Sequence, residues 1–244
     1  MPQLVCPLLF DEGRVYGTLT MSIPALVSRT PEGVYTKWGK RALDIAISLL
    51  GLLVLLPLFA FIGCIVKLTS PGGIFYRQTR IGRGGRCFQI LKFRSMVIGG
   101  TNKGLEITVS GDSRVTSVGR VLRRYKLDEL PQLWNVLRGD MSLVGPRPEL
   151  PIYVAAYRED QRQVLVVRPG ITDPASLAYR REEEILANHK DPERFYRTQV
   201  LPDKLARNLV YLQAISLKTD VRIIFETVLS SFLLSLKVHE HRDV

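Results

Sequence analysis

The chain has 244 residues, 46% of them hydrophobic, and a formal net charge of +11. That length holds one substantial domain, or one domain with an appendage, and an ordinary apolar content excludes a protein embedded throughout in lipid. The basic excess predicts an anionic partner, whether nucleic acid, an acidic membrane surface or a phosphorylated substrate, while Cys6, Cys64, Cys87 and the histidines His189, His239 and His241 show no zinc spacing.

Residues 1–36 read as an irregular N-terminal extension. Residues 4–10 form a short apolar run, 14–19 could be a strand, and Pro24 and Pro31 interrupt the remainder of the extension. Residues 45–66 then run 22 positions without a charge, long enough for a bilayer span of ~20 residues. Two features oppose a straight span. Pro57 lies near the middle, where it removes a helix hydrogen bond and clashes with the preceding turn. Basic residues also flank both ends: Lys37, Lys40 and Arg41 before, Lys67, Arg77 and Arg80 after. A crossing helix would strand one cationic group on the wrong side. A helix that enters, bends at Pro57 and returns satisfies both flanks; the rival is a spanning helix kinked at the same proline. Trp38, just outside the run, suits an interface anchor.

Ser70-Pro71-Gly72-Gly73 predicts a sharp turn. Residues 74–81 and 87–93 read as two strands of a hairpin around Gly82-Arg83-Gly84-Gly85, which lacks the frame of a phosphate loop. Lys92 and Arg94, two apart at the strand end, are expected on one face. Residues 101–113 read as a loop. Val115, Val118, Val121, Leu122 and Tyr125 recur at helical spacing over 114–125. Asp128 and Glu129 come next, adjacent carboxylates among Arg123, Arg124 and Lys126 at an apparent helix start. Such a pair caps a helix ending at Gly139, or it binds a divalent metal and a phosphate. In Gly145-Pro146-Arg147-Pro148 two prolines fix the backbone of one arginine, whose planar fork matches phosphate oxygens. Helices are expected over 151–167, 175–189, 202–216 and 221–236, the last apolar enough to pack on the domain or lie at an interface.

Five motifs in this order resemble the bacterial sugar transferase family, the monotopic polyprenyl-phosphate phosphoglycosyltransferases. They are Ser-Pro-Gly-Gly-Ile-Phe-Tyr-Arg-Gln, Lys-Phe-Arg-Ser-Met, Leu-Asp-Glu-Leu-Pro-Gln, Arg-Gly-Asp-Met-Ser-Leu-Val-Gly-Pro-Arg-Pro and Val-Arg-Pro-Gly-Ile-Thr, all located after the bent apolar segment. The resemblance covers about residues 37–230. It implies transfer of a sugar-1-phosphate from a UDP-sugar to undecaprenyl phosphate with release of UMP, through a covalent phosphosugar–aspartate. It implies Mg2+ as cofactor, Asp128 as nucleophile and Glu129 as its partner, the two together holding the metal. It further assigns Lys92, Arg94 and Arg123 to phosphate, and Pro146, Arg147 and Pro148 to the nucleotide.

The expected fold class is α+β, predominantly α. A re-entrant membrane helix, 37–69, precedes a cytoplasmic catalytic domain, 70–236, with a small β-hairpin and amphipathic interface helices; a polar tail, 237–244, ends the chain. The implied location is the cytoplasmic face of a bacterial inner membrane. The implied partners are phospholipid and downstream glycosyltransferases of exopolysaccharide, capsule, O-antigen or glycoprotein glycan synthesis. A homo-oligomer is allowed and no nucleic acid is expected. The alternative is a non-catalytic membrane scaffold on the same fold. The sequence departs from the family at Leu56-Pro57, where many small members have Ser-Pro, and at Asp173-Pro174, where Gly-Leu is common.

Overall fold

The computed structural model describes residues 4–10, 14–21, 33–97 and 107–237. Part of the expected 101–113 loop, most of the 22–36 segment and nearly all of the tail lie outside the described residues. Within the extension expected to be irregular, β1 (Leu4–Phe10) and β2 (Arg14–Met21) pair as an antiparallel hairpin. The short apolar run and the strand signal after it are the two arms.

The charge-free stretch becomes two helices, α1 (Lys40–Val54) and α2 (Leu56–Thr69), which differ in direction by 62°. Pro57 falls in the first turn of α2, where its missing N–H has no intrahelical partner to lose. Leu55, at φ −86° and ψ 2°, carries the break. The Leu55 N–H still donates to the Gly51 carbonyl at 2.9 Å, and the Phe59 N–H to the Leu55 carbonyl at 2.8 Å. The bend is thus satisfied by local backbone, without the hydroxyl that a Ser-Pro sequence would bring. No described helix alone is long and apolar enough to cross a membrane, whereas the bent pair passes that test together by length and composition. Leu50, Leu53, Val54, Leu56 and Phe61 face outward, while Asp44 and Ser48 are buried. That is the reverse of an amphipathic helix in water.

The basic flanks are partly consumed inside the protein. Arg41 donates to the Val136 and Leu137 carbonyls at 2.6 and 2.9 Å, and Lys40 pairs with Asp220 at 2.5 Å. Arg80 donates to the Pro148 carbonyl at 3.2 Å. These cations dock α1 and its surroundings to the domain as well as marking a side.

Beyond the membrane-like segment, β3 (Phe75–Ile81) and β4 (Cys87–Phe93) pair antiparallel, with Tyr76 opposite Lys92. A tight turn at Arg83–Gly85 joins them. Next come α3 (Ser117–Arg124), capped by the Thr116 hydroxyl, and α4 (Gln132–Arg138). Gly139, at φ 93°, ends α4 in the left-handed region that favours glycine.

β5 (Ser142–Val144) pairs in parallel with β6 (Gly170–Thr172), a pair that the sequence motifs do not announce. Only glycine fits where they meet: a Cβ on Gly170 would collide with the Gly145 backbone. The described residues hold three two-stranded sheets, not one hairpin, among predominantly helical elements.

The first two of the expected C-terminal helices are each divided, the 202–216 helix ends three residues early, and the 221–236 helix begins four residues sooner than its periodicity predicts. The 151–167 helix divides into α5 (Pro151–Ala155) and a 3-10 segment, Gln161–Val166. Arg158 turns its N–H to the Gln161 side chain between them. The 175–189 helix divides into α6 (Pro174–Ala178) and α7 (Glu182–Ala187). α8 (Pro192–Phe195), α9 (Leu201–Gln213) and α10 (Leu217–Lys237) complete the chain. Tyr153, Val154, Leu186, Tyr196 and Val200 form the main core, and Val136, Met141, Val144, Tyr211 and Ile223 a second. Ile62, Val66, Phe93 and Leu122 join α2 to β4 and α3. Burying a side chain such as Phe93 contributes roughly 1.5–3 kcal/mol to that junction.

Candidate active site

Asp128 and Glu129 lie in a 3-10 turn, Leu127–Glu129, between α3 and α4. Lys126 enters this turn at φ 57°, the one positive φ outside glycine among the described residues. A non-glycine residue there costs on the order of 1 kcal/mol, and the turn it makes directs both carboxylates inward. Asp128 is 5% exposed and Glu129 8%.

Asp128 caps no helix. The N-cap position of α4 is Pro131, without a side-chain bond, because the intervening turn sets Asp128 too far back to reach the first free N–H groups of α4. Among the described residues Asp128 forms no side-chain hydrogen bond, and its Oδ1 is sealed from solvent without a donor. Its ligand capacity is unspent.

Glu129 is the opposite case. Lys92 Nζ, from the end of β4, lies 2.8 Å from Glu129 Oε1. Arg147 grips the same carboxylate with both guanidinium arms, at 2.5 Å to Oε1 and 3.2 Å to Oε2. This fork geometry is the strong form of a charge-assisted bond.

The two neighbours consequently diverge in acidity. Burial pushes the Asp128 carboxyl up; Lys92 opposes that and the Glu129 charge adds to it. Burial would raise Glu129 too, but Arg147 and Lys92 outweigh it and hold the carboxyl well below its ordinary range. Burial also lowers Lys92, against the pull of Glu129. Paired carboxylates with separated acidities are a frequent mark of assigned chemical roles.

The loop carrying Arg147 is held at several points. The Pro146 carbonyl accepts from the Gly170 N–H at 3.0 Å, and the Pro148 carbonyl accepts from Arg80. The Arg147 N–H donates to Asp173 Oδ2 at 2.7 Å. Asp173 is fully buried and also caps α6 through the Ser176 N–H. The Asp-Pro departure therefore supports the arginine loop, a role missed in the sequence although Asp before Pro is a recognisable helix-start signal. Glu149, equally missed, accepts from Tyr196 at 2.7 Å with Lys204 at 3.6 Å and Arg80 at 3.7 Å.

Two expected phosphate ligands are placed differently. Arg123 pairs with Glu183 at 2.5 Å, yet stays near enough to lower the Asp128 pKa. Arg94 is turned away from the carboxylates. It donates to the Pro71 and Ser70 carbonyls, each at 2.7 Å, and to Ser70 Oγ at 2.8 Å. Lys92 and Arg94 do not act together, because the strand ends at Phe93 and Arg94 finishes the C-terminus of α2.

Among the described residues no three of His, Cys, Asp and Glu converge on a metal position. Two hard carboxylates do fit Mg2+, which takes one or two protein oxygens and completes its shell with phosphates and water. Asp128 has an unengaged carboxylate, whereas both oxygens of Glu129 are in contact with cations.

A family model described as bacterial sugar transferase matches residues 35–233. A UDP-N-acetylgalactosamine-undecaprenyl-phosphate N-acetylgalactosaminephosphotransferase of Aeromonas hydrophila is 36% identical over 206 residues, covering 83% of this chain and 45% of that protein. A UDP-glucose:undecaprenyl-phosphate glucose-1-phosphate transferase of Escherichia coli (strain K12) is 37% identical over 212 residues, 84% of this chain and 42% of that protein. The exopolysaccharide production protein PSS of Rhizobium leguminosarum bv. phaseoli is 39% identical over 198 residues, 78% of this chain and 94% of that protein. The chain spans less than half the length of the first two relatives.

Proposed function

The chain belongs to the bacterial sugar transferase family, and we propose that it moves a sugar-1-phosphate from a UDP-sugar to undecaprenyl phosphate, releasing UMP. The observation that carries this reading is the division of labour between adjacent buried carboxylates: Glu129 saturated by Lys92 and Arg147, Asp128 unpartnered.

In this mechanism the Asp128 carboxylate attacks the sugar-bearing phosphorus of the donor. A P–O bond forms to Asp128, the bond to the UMP phosphate breaks, and its electron pair leaves with UMP. A phosphate oxygen of undecaprenyl phosphate then attacks the same phosphorus and frees Asp128. Splitting one displacement into two is the standard advantage of covalent catalysis. Asp128 and, once Lys92 or Arg147 yields one of its oxygens, Glu129 would hold Mg2+, which would supply charge neutralisation on the diphosphate. Lys92 and Arg147 keep Glu129 ionised and bring two cations beside the reacting phosphates. Arg123 can exchange Glu183, whose side chain is 40% exposed, for a phosphate oxygen.

The bent pair α1–α2, with its apolar side outward, would enter one leaflet and return, placing Asp128 at the cytoplasmic face of the inner membrane. There the lipid phosphate and the cytosolic nucleotide sugar meet. Exopolysaccharide assembly, which the name of the Rhizobium relative mentions, is the pathway class favoured here, with downstream glycosyltransferases consuming the product. The test is a UMP-release screen: purified protein, undecaprenyl phosphate, Mg2+ and a panel of nucleotide sugars. UMP release with at least one UDP-sugar is expected. No turnover with any donor would sink the catalytic reading and leave a scaffold on the same fold.

A further inference from the structure

Gln132 is 1% exposed, and neither its Nε2 nor its Oε1 has a hydrogen-bond partner. Leaving both polar atoms of a buried amide unsatisfied is costly, so its presence needs a cause. Its position in the fold supplies one. Residues 127–138 run as a right-handed helical path, a 3-10 turn leading through Leu130 and Pro131 into α4. On such a path residues three and four apart share a face. Gln132 is therefore one turn beyond both Asp128 and Glu129, and one turn before Asn135.

Asn135 defines what that face packs against. It accepts from the Leu91 N–H at 2.9 Å and donates to the Gln89 carbonyl at 2.8 Å, both in β4. Glu129, at the other end, meets Lys92 of the same strand. Gln132 lies between these two fixed points, on the side turned toward β4. Asp128 Oδ1 is buried on this segment without a donor, and Gln132 Nε2 without an acceptor. Apart from Gln132 Oε1, no other unpartnered buried side-chain atom among the described residues belongs to the 127–138 segment.

We infer that Gln132 is a positioning residue for Asp128. Its amide donates to Oδ1 when the site is loaded, a small side-chain rotation that pairs two orphan atoms and fixes the carboxylate plane. The other oxygen, Oδ2, is then held facing the phosphorus. Oδ1 itself is sealed from solvent in the resting arrangement, which favours a partner from inside the protein. Lys92 and Arg147 are turned to Glu129, and the unpartnered amide, one turn away on the same segment, is a donor with no other engagement. This inference rests on the proposed role of Asp128 and adds a residue to it.

The amide can be removed at nearly constant volume. Gln132→Met replaces an unsatisfied polar group with an apolar one, so a purely structural amide predicts unchanged turnover with an unchanged or higher Tm. A positioning amide predicts the same Tm, an unchanged KM for the UDP-sugar, and a kcat lower by at least about tenfold. Gln132→Glu keeps the shape but presents an acceptor where a donor is needed, and it must lose kcat at least as far. Wild-type kcat in either variant overturns the inference. So does a joint fall in Tm and kcat for Gln132→Met, which would make the amide a packing group, or a raised KM with kcat intact. Failure of the proposed function is seen separately, as absence of UMP release by the unsubstituted protein, and takes this inference down with it.

Discussion

Two of the buried charge clusters among the described residues are completed to different degrees. Around Asp220, the Tyr35 hydroxyl donates at 2.6 Å and Lys40 at 2.5 Å to one oxygen, and the Tyr211 hydroxyl at 2.7 Å to the other. Both carboxylate oxygens are engaged, and the cluster ties the start of α1 to α9 and α10. Around Asp128 and Glu129, one carboxylate is saturated and its neighbour has no partner. Burial is similar in the two places, so burial does not explain the difference. A cluster that only holds elements together gains by completing its hydrogen bonds, because each buried orphan is costly. One that must receive a ligand keeps part of its capacity free.

The largest effect expected from breaking this contrast is at Asp128. Asp128→Asn should abolish trapping of a phosphosugar on the protein and reduce turnover by about 10³-fold or more, the scale seen when a nucleophile is removed. Intact-mass measurement after incubation with donor reads the adduct; full turnover by the variant would place the nucleophile elsewhere. Its Tm should hold or rise, since the substitution removes a carboxylate whose ionisation burial disfavours.

Asp220→Ala should do the reverse. Removing one partner from a buried pair costs about 3–5 kcal/mol, which for a domain of this size lowers Tm by on the order of 10 °C. Turnover per folded molecule should persist at low temperature. An Asp220→Ala protein with wild-type Tm and no activity would collapse the distinction between the two clusters.

These residues also show why the fold and the site were unequally legible. Strand periodicity gave β3 and β4 almost to the residue, and Pro57 marked the bend, because both signals are local. β5 and β6 escaped because a three-residue parallel pair leaves no periodicity; its trace is the pair Gly145 and Gly170, whose need for close approach appears only in three dimensions. Asp128 and Glu129 were visible as an acidic pair among cations, yet the sequence could not say which would be neutralised. That choice is made by Arg147, eighteen residues away along the chain, and by Lys92 on another strand. Arg94 misled for the same reason. Two cations two apart share a face only while the strand continues, and it stops at Phe93.

A smaller effect, in acid, separates the two carboxylates of the site from each other. Catalysis requires ionised Asp128, whose pKa burial raises, so kcat/KM should begin to fall at a higher pH than for an ordinary aspartate. Glu129 has a folded-state pKa below its unfolded value of about 4.3. Its contribution to stability is complete above the unfolded value and is lost as pH falls through the folded one. Between these limits the protein should be folded and inactive, which paired pH profiles of kcat/KM and Tm would reveal. The sign for Asp128 is opposite. A raised folded pKa subtracts stability as pH rises from the unfolded value of about 3.9 to the folded one, and the full penalty applies above that. Any Tm gain of Asp128→Asn should therefore be full near neutrality and disappear in acid, where the wild-type carboxyl is protonated in both states. A gain independent of pH would mean that the substitution relieves packing and not charge, and the unpartnered carboxylate would lose its claim to be held in reserve.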